Sequence, residues 1–445
     1  MDEFGTPSIM LQTDAAPFRI AQLRVHEVGP FVDFSLDFPA GRDNGLAEVH
    51  IFTGPNGSGK STLLAAISAL FTVWPVGAKE LERLSRNYFS SITAEIGASG
   101  GDLRLGPSGN AEINPIAIGW GQTAISLPKD SWAMSTLVSL VRPSSAHTAP
   151  VAFGVLTYSA AKQFRSGIIE SYDAPSAEES RRAASFFGRE PNDSAVQWLA
   201  NTLTNISLAK TDGDSFAAAT YEASINEICQ AVSAVVGASF ALKLNRKPLE
   251  VMAVWAGQSI PVAQLPDGLK SVLSLLADIS MRLDAMNWEH PEAISKRPFV
   301  LLLDEIDVHL HPKWQRQIVS VLQRSFPNAQ IFVSTHSPFV VASVNDAWIY
   351  SLEPSKSQAV AEKSGAGQSL LTVIQDVFDI DEQFDPETEA LFDKFYAERN
   401  LAMRTKQVEQ LKILGAQLSN RGAEVDDIVN SEIHQVERKI AMPAN

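Results

Sequence analysis

The sequence predicts an α/β fold, a mixed sheet flanked by helices, and three stretches carry that expectation. The first is an apolar strand, Val49 to Thr53, running through Gly54-Pro55-Asn56-Gly57-Ser58-Gly59-Lys60-Ser61-Thr62 into an apolar helix, Leu63 to Phe71. The second is Phe299-Val300-Leu301-Leu302-Leu303, an unbroken apolar run ending in Asp304-Glu305. The third is Gln330 to Ser334, followed by Thr335-His336-Ser337-Pro338. Continuous apolar runs of this length are the pattern of strands buried on both faces of a parallel sheet.

The first stretch matches G-x-x-x-x-G-K-[ST] between a strand and a helix, the context that gives this motif its meaning. Gly54, Gly57 and Gly59 tolerate backbone angles that side chains forbid, so successive N–H groups can close around phosphates at a helix N-terminus. Pro55, Asn56, Ser58 and Thr62 complete the loop. Lys60 is expected to reach the outer phosphates of a nucleotide, and the Ser61 hydroxyl to ligate Mg²⁺, a hard cation that prefers oxygen donors.

In the second stretch the carboxylates sit at the C-terminal end of a strand, where open α/β sheets place their ligands. Asp304 is therefore expected to hold Mg²⁺ through water, and Glu305 to orient and polarise the attacking water. His336, one strand later, is a candidate γ-phosphate sensor. Upstream, Leu265-Pro266-Asp267-Gly268 opens an apolar-periodic helix through Val272 to Ile279.

Taken together, these four segments resemble the ATP-binding-cassette ATPases, within the branch that includes RecF heads, SMC heads and the ATPase half of OLD-type nucleases. The resemblance implies ATP and Mg²⁺ as ligands, and an ABC-type head that dimerises. It places Leu265, Asp267 and Gly268 in the slot of the family signature, whose helix start meets the γ-phosphate of the opposing subunit. Pro266 departs from the family there, replacing a serine whose hydroxyl would touch that nucleotide. Asp307 to Pro312 resembles the stretch where opposing subunits touch, so His309 and His311 are not read as metal ligands. Arg24 and His26, on an alternating N-terminal strand, either approach the base or face solvent. The glutamine joining Mg²⁺ to the lateral lobe has two candidates, Gln122 and Gln163.

The resemblance also organises the chain: residues 16–75 carry the phosphate loop, 76–255 an insertion and lateral lobe, 256–352 the signature, acids and histidine, and 366–445 a helical tail. No heptad array long enough for an SMC-type arm lies between loop and signature. Short alternating strands are expected from Ile92 to Trp120, a buried strand from Val151 to Tyr158, and helices over Asp193 to Leu208 and Ser215 to Val236. A strand pair follows around Phe240 to Leu244 and Leu249 to Trp255. The sheet is expected to finish at Ser351. Gln368 to Phe378 and one longer helix, Pro386 to Leu418, then carry apolar stripes among charges.

Composition sets outer limits. The chain has 445 residues, 45% of them hydrophobic, and a formal net charge of −15, which opposes nonspecific binding of nucleic acid over its whole surface. Its one cysteine, Cys229, leaves no internal disulfide framework and fits a reducing compartment. With no leader-like start and no apolar run long enough for a membrane span, a cytoplasmic protein without a membrane partner is expected. The full layout resembles the stand-alone ATPases of bacterial phage-defence systems, Septu and related retrons. That implies a second copy of the chain and a separate nuclease subunit as partners, in an ATP-hydrolysing switch. The alternatives are a RecF-like repair ATPase that binds DNA directly, and a slow ATP sensor.

Overall fold

A computed structural model describes residues 18–40, 45–71, 84, 91–98, 104–105, 111–112, 116–120, 154–159, and 193–441 apart from 287, 289–291, 345, 354–355, 357, 364–368, 379 and 381. The chain divides into two compact units, one reaching to Val373 and one starting at Ile374.

The first unit is built on a six-stranded sheet. Its strands are β3 (Glu48–Thr53), β8 (Gly154–Tyr158), β12 (Phe299–Leu303), β13 (Ala329–Ser334), β14 (Trp348–Ser351) and β15 (Glu362–Lys363). They are ordered β15-β14-β3-β13-β12-β8. All neighbours are parallel except β14 and β15. The unbroken apolar runs become the inner strands, as their two-sided burial requires: no side chain of β12 is more than 2% exposed. At roughly 1.5–3 kcal/mol for each fully buried large apolar side chain, β12 alone is a major contributor to the core. Helix α1 (Lys60–Phe71) leaves the end of the phosphate loop. Its Leu63, Leu64 and Ile67 pack in one cluster with Phe52 of β3, Leu302 of β12 and Phe332 of β13.

A second, antiparallel sheet holds β1 (Phe18–Val28), β2 (Phe31–Asp37), β4 (Ser91–Ala98) and β7 (Ile116–Trp120), in the order β2-β1-β4-β7. Two two-residue strands, β5 (Arg104–Leu105) and β6 (Ala111–Glu112), pair separately. Strand β1 is tied to the parallel sheet by Gln330, whose side chain accepts from the Ile20 N–H at 2.7 Å and donates to the Ile20 carbonyl at 2.9 Å.

Helices α2 (Asp193–Asp212) and α3 (Ser215–Val236) follow, then β9 (Phe240–Arg246), β10 (Leu249–Trp255) and β11 (Gln258–Pro261). These three strands form an antiparallel sheet, ordered β11-β10-β9. Asp214 caps α3 by accepting from the Ala217 N–H at 2.9 Å, and Gly237 ends it in the left-handed region. Helix α4 (Asp267–Ala285) precedes β12, α5 (Pro312–Ser325) joins β12 to β13, and the single turn α6 (Pro338–Val341) follows β13.

Two expectations are corrected. The sheet does not finish at Ser351, because β15 adds an antiparallel edge beside β14; a two-residue strand has no periodicity to read. Nor is there one helix from Pro386 to Leu418. Helix α7 (Leu370–Phe378) spans the join between the units, and α8 (Pro386–Thr405) stops at Lys406, which adopts φ 61° and returns its N–H to the Ala402 carbonyl. Helices α9 (Glu409–Ser419) and α10 (Ala423–Ala441) complete the second unit. The break lets α8, α9 and α10 share a core of Phe395, Leu411, Leu418, Val429 and Val436, burial that a straight helix would forfeit.

Candidate functional site

The phosphate loop joins β3 to α1 with Gly54, Gly57 and Gly59 all at positive φ. Gly59 shows why a side chain is excluded: a Cβ there would overlap the Phe31 ring and fall 2.8 Å from Pro30 Cγ. The turn between β1 and β2 therefore packs directly on the loop, with Phe31 stacked on Phe34 at 4.5 Å. Lys60 is 5% exposed and folds back, its ammonium donating to the Gly54 carbonyl at 2.8 Å and the Pro55 carbonyl at 2.9 Å. Burial pushes Lys60 below its ordinary range, and Asp304, Glu305 and Asp307 partly offset that. A cation this buried, satisfied by loop carbonyls, is the donor that an anionic group in the loop would draw away.

The two distant halves of the sequence meet at Ser61. Its hydroxyl donates to Asp304 Oδ1 at 2.8 Å, across 243 residues of chain. That oxygen also accepts from Ser334 Oγ at 2.5 Å, while Ser334 Oγ accepts from the Glu305 N–H at 2.8 Å. One serine at the end of β13 thus fixes both acid-bearing residues at the end of β12. Sequence reasoning missed it, since a serine closing an apolar strand carries no motif. Glu305 adopts φ 53°, in the left-handed region, a strained setting for a glutamate that the surrounding bonds must hold.

The loop beyond the acids is pinned from the same side. Thr335 donates to Asp307 Oδ1 at 2.5 Å, and Gln315 Nε2 donates to the carbonyls of Asp307 and Leu310 at 3.1 and 2.9 Å. His336 follows two residues after Ser334 and is half-buried. His311 caps α5, accepting from the Lys313 N–H at 3.2 Å, and His309 takes a left-handed turn at φ 67°.

The Leu265–Gly268 turn lies against this loop in the same chain. A Cβ on Gly268 would stand 2.7 Å from the His309 carbonyl and 3.0 Å from the Trp314 ring. Leu265 is buried, Pro266 and Asp267 are exposed, and α4 starts at Pro266 without a side-chain cap. Arg24 and His26 are both exposed on β1. Gln122 and Gln163 lie outside the described residues.

Comparison with known proteins bears on the same segments. Residues 18–81 match an "AAA domain" family, and residues 248–342 match a family described as "AAA domain, putative AbiEii toxin, Type IV TA system". The first span ends beyond the phosphate loop, and the second holds the signature turn, both acids and His336. Both halves of the site thus fall within AAA-domain matches.

Relatives of the head include "Retron Ec83 probable ATPase" of Escherichia coli, 33% identical over 45% of this chain and 36% of that one. "Septu protein PtuA" of Bacillus mycoides is 30% identical over 38% of this chain and 24% of that one. The chain thus spans about a third or less of the length of these curated relatives. Among solved structures, "Crystal structure of the SmcHead bound to the C-winged helix domain of ScpA" aligns with a TM-score of 0.42 at 13% identity, covering 77% of this chain and 97% of that one.

The donor set of the head fits a hard divalent cation: Ser61 Oγ and Asp304 Oδ1 already converge, and both are oxygen donors. Beside them stand the buried Lys60 and the amides of the loop. The arrangement has the donors to hold a polyphosphate with a metal, and keeps a second carboxylate, Glu305, one residue from Asp304.

Proposed function

We propose that this protein is an ATPase switch: it binds ATP with Mg²⁺, closes with a second copy of itself, and hydrolyses ATP to ADP and phosphate. The observation that carries the reading is the convergence of Ser61 and Asp304, held with Glu305 by the single hydroxyl of Ser334. Gly54 to Thr62 wrap the phosphates with backbone N–H groups, Lys60 turns from its loop carbonyls to the outer phosphates, and Ser61 and Asp304 hold the metal. Mg²⁺, when bound, neutralises charge developing on the transferred phosphoryl group. Glu305 orients and polarises the water, and His336 senses the γ-phosphate. Most of the acceleration comes from positioning and electrostatics, since phosphoryl transfer leaves the protein little covalent chemistry to do.

The signature turn, Leu265 to Gly268, serves the nucleotide of the opposing copy through backbone N–H groups and the helix dipole, Pro266 offering no hydroxyl. On this reading residues 16–75 and 256–352 form the head, 76–255 its insertion and lobe, and 366–445 a helical tail. The retron and Septu relatives support a role in bacterial anti-phage defence, where ATP state controls a separate nuclease. Among the described residues no helix is long and apolar enough to cross a membrane.

Lys60→Ala is expected to weaken ATP binding by roughly 10–100-fold, the loss of one charge-assisted contact. Glu305→Gln is expected to leave binding intact and cut phosphate release by roughly 10²–10⁴-fold, as for a positioned base. Nucleotide titration and a phosphate-release assay on both variants read these effects. Unchanged binding in the first and unchanged turnover in the second would refute the assignment.

A further inference from the structure

Helix α4 carries a buried carboxyl that the site above does not use. Asp278 is 1% exposed. Its Oδ2 accepts from the Tyr158 hydroxyl at 2.7 Å and from Arg282 Nε at 2.6 Å. Its Oδ1 is buried with no hydrogen-bond partner among the described residues. Leaving a carboxyl oxygen unpaired in the interior costs about 1–3 kcal/mol, so the group calls for a role beyond packing.

Its partner leads to the acids. Tyr158 is the last residue of β8, which lies beside β12 at one edge of the six-stranded order. The Tyr158 carbonyl accepts the Asp304 N–H at 2.8 Å. Tyr158 therefore grips α4 with its side chain and the metal-facing residue with its backbone. Burial pushes the Tyr158 phenol well above its ordinary range, so it remains a neutral donor to Asp278. The same helix begins at Asp267 and Gly268, after Pro266, about 16 Å along its axis from Asp278, or three turns. A helix transmits an axial shift with little loss, whereas one apolar contact in place of this hydrogen bond would let the strand end slip.

We propose that Asp278 and Tyr158 are positioning residues, a link through which the start of α4 sets the Asp304 peptide of the same head. The inference rests on the ATPase reading and deepens it. It assigns the path by which engagement of the signature turn adjusts the metal-holding side of the chain's own site. Neither residue touches nucleotide; both act through Asp304.

The test uses the full chain with Tyr158→Phe, Asp278→Asn and the double variant. Three quantities are read: turnover, nucleotide affinity without metal, and the gain in affinity on adding Mg²⁺. Each single variant is expected to lower turnover about tenfold and the Mg²⁺-dependent gain about tenfold, the equivalent of one hydrogen bond. Metal-free affinity is expected to stay at the wild-type value, and the double variant to be no worse than the poorer single, because both changes break one link. Additive losses, unchanged turnover, or a fall in metal-free affinity matching the fall in turnover would each overturn the link. If Asp278→Asn does not fold, Tyr158→Phe alone decides, since it keeps the ring and removes only the hydroxyl. A wild-type protein that binds ATP without hydrolysing it would overturn the ATPase reading and this inference together; normal wild-type turnover with indifferent variants overturns the link alone.

Discussion

Ser334 uses one oxygen to donate to Asp304 and to accept from the Glu305 N–H, and it is fully buried. Replacing it with alanine leaves a carboxylate oxygen short of a donor and a peptide N–H short of an acceptor, at about 1–3 kcal/mol for each unmade bond. If that loss falls on the catalytic geometry, Ser334→Ala lowers turnover by roughly 10–100-fold. Metal-free ATP affinity is expected to hold, because the phosphate loop and Lys60 are untouched; steady-state phosphate release beside nucleotide titration checks the split. Equal losses in both would mean that Ser334 supports the loop rather than the acids. The meeting of Ser61 with Asp304 was legible in the sequence because a glycine-spaced loop and an apolar run ending in acids each have few physical explanations. Ser334 and Phe31 were not, since their importance arises from what folds against them.

Strand β1 is held to the parallel sheet by a polar cluster inside the core. Arg19 pairs with Glu48 at 2.6 Å, Glu48 meets His50 Nε2 at 2.6 Å, and His50 Nδ1 meets the Tyr350 hydroxyl at 3.0 Å. Burial alone would raise the Glu48 carboxyl, but the His50 and Arg19 contacts outweigh it and hold the group at about 2 against an ordinary 4.5. Burial pushes His50 below its ordinary 6.5. Both folded-state values are depressed, so both contributions are complete above the unfolded values and are lost as pH falls: His50 from about 6.5 downward, Glu48 between about 4.5 and 2. Glu48→Gln is therefore expected to cost about 3 kcal/mol at pH 7. Denaturant unfolding should show the gap between wild type and variant narrowing from about pH 4.5 and closing only near pH 2, and a constant gap across that range would contradict the pairing.

Elements of this kind were read well where burial is two-sided and long, as in β3, β12 and β13. They were misread where no pattern exists. The two-residue β15 is recruited by its neighbour β14, and the break between α8 and α9 occurs at Lys406, a residue type that gives no warning of a left-handed turn.

At the scale of the molecule, the head joins a phosphate loop to acids some 240 residues later in the sequence. The fold class was legible because the parallel sheet leaves its mark in three separate apolar runs. Between the loop and the signature, helices α2 and α3 and strands β9 and β10 were legible, since each carries a periodic apolar pattern of sufficient length. What makes the protein a switch, in our account, is that one copy supplies Lys60, Ser61, Asp304 and Glu305 while the other supplies Leu265 to Gly268. A nucleotide with its γ-phosphate intact would then bridge two copies, and hydrolysis would release them. Nuclease control, the proposed output, depends on that cycle and on nothing else in the site. The most direct measurement is the solution mass of the purified protein with and without ATP and Mg²⁺, for wild type and Glu305→Gln. The account expects ATP to raise the mass, and the variant, unable to hydrolyse, to remain in the larger species; a mass indifferent to both ATP and the substitution would contradict it.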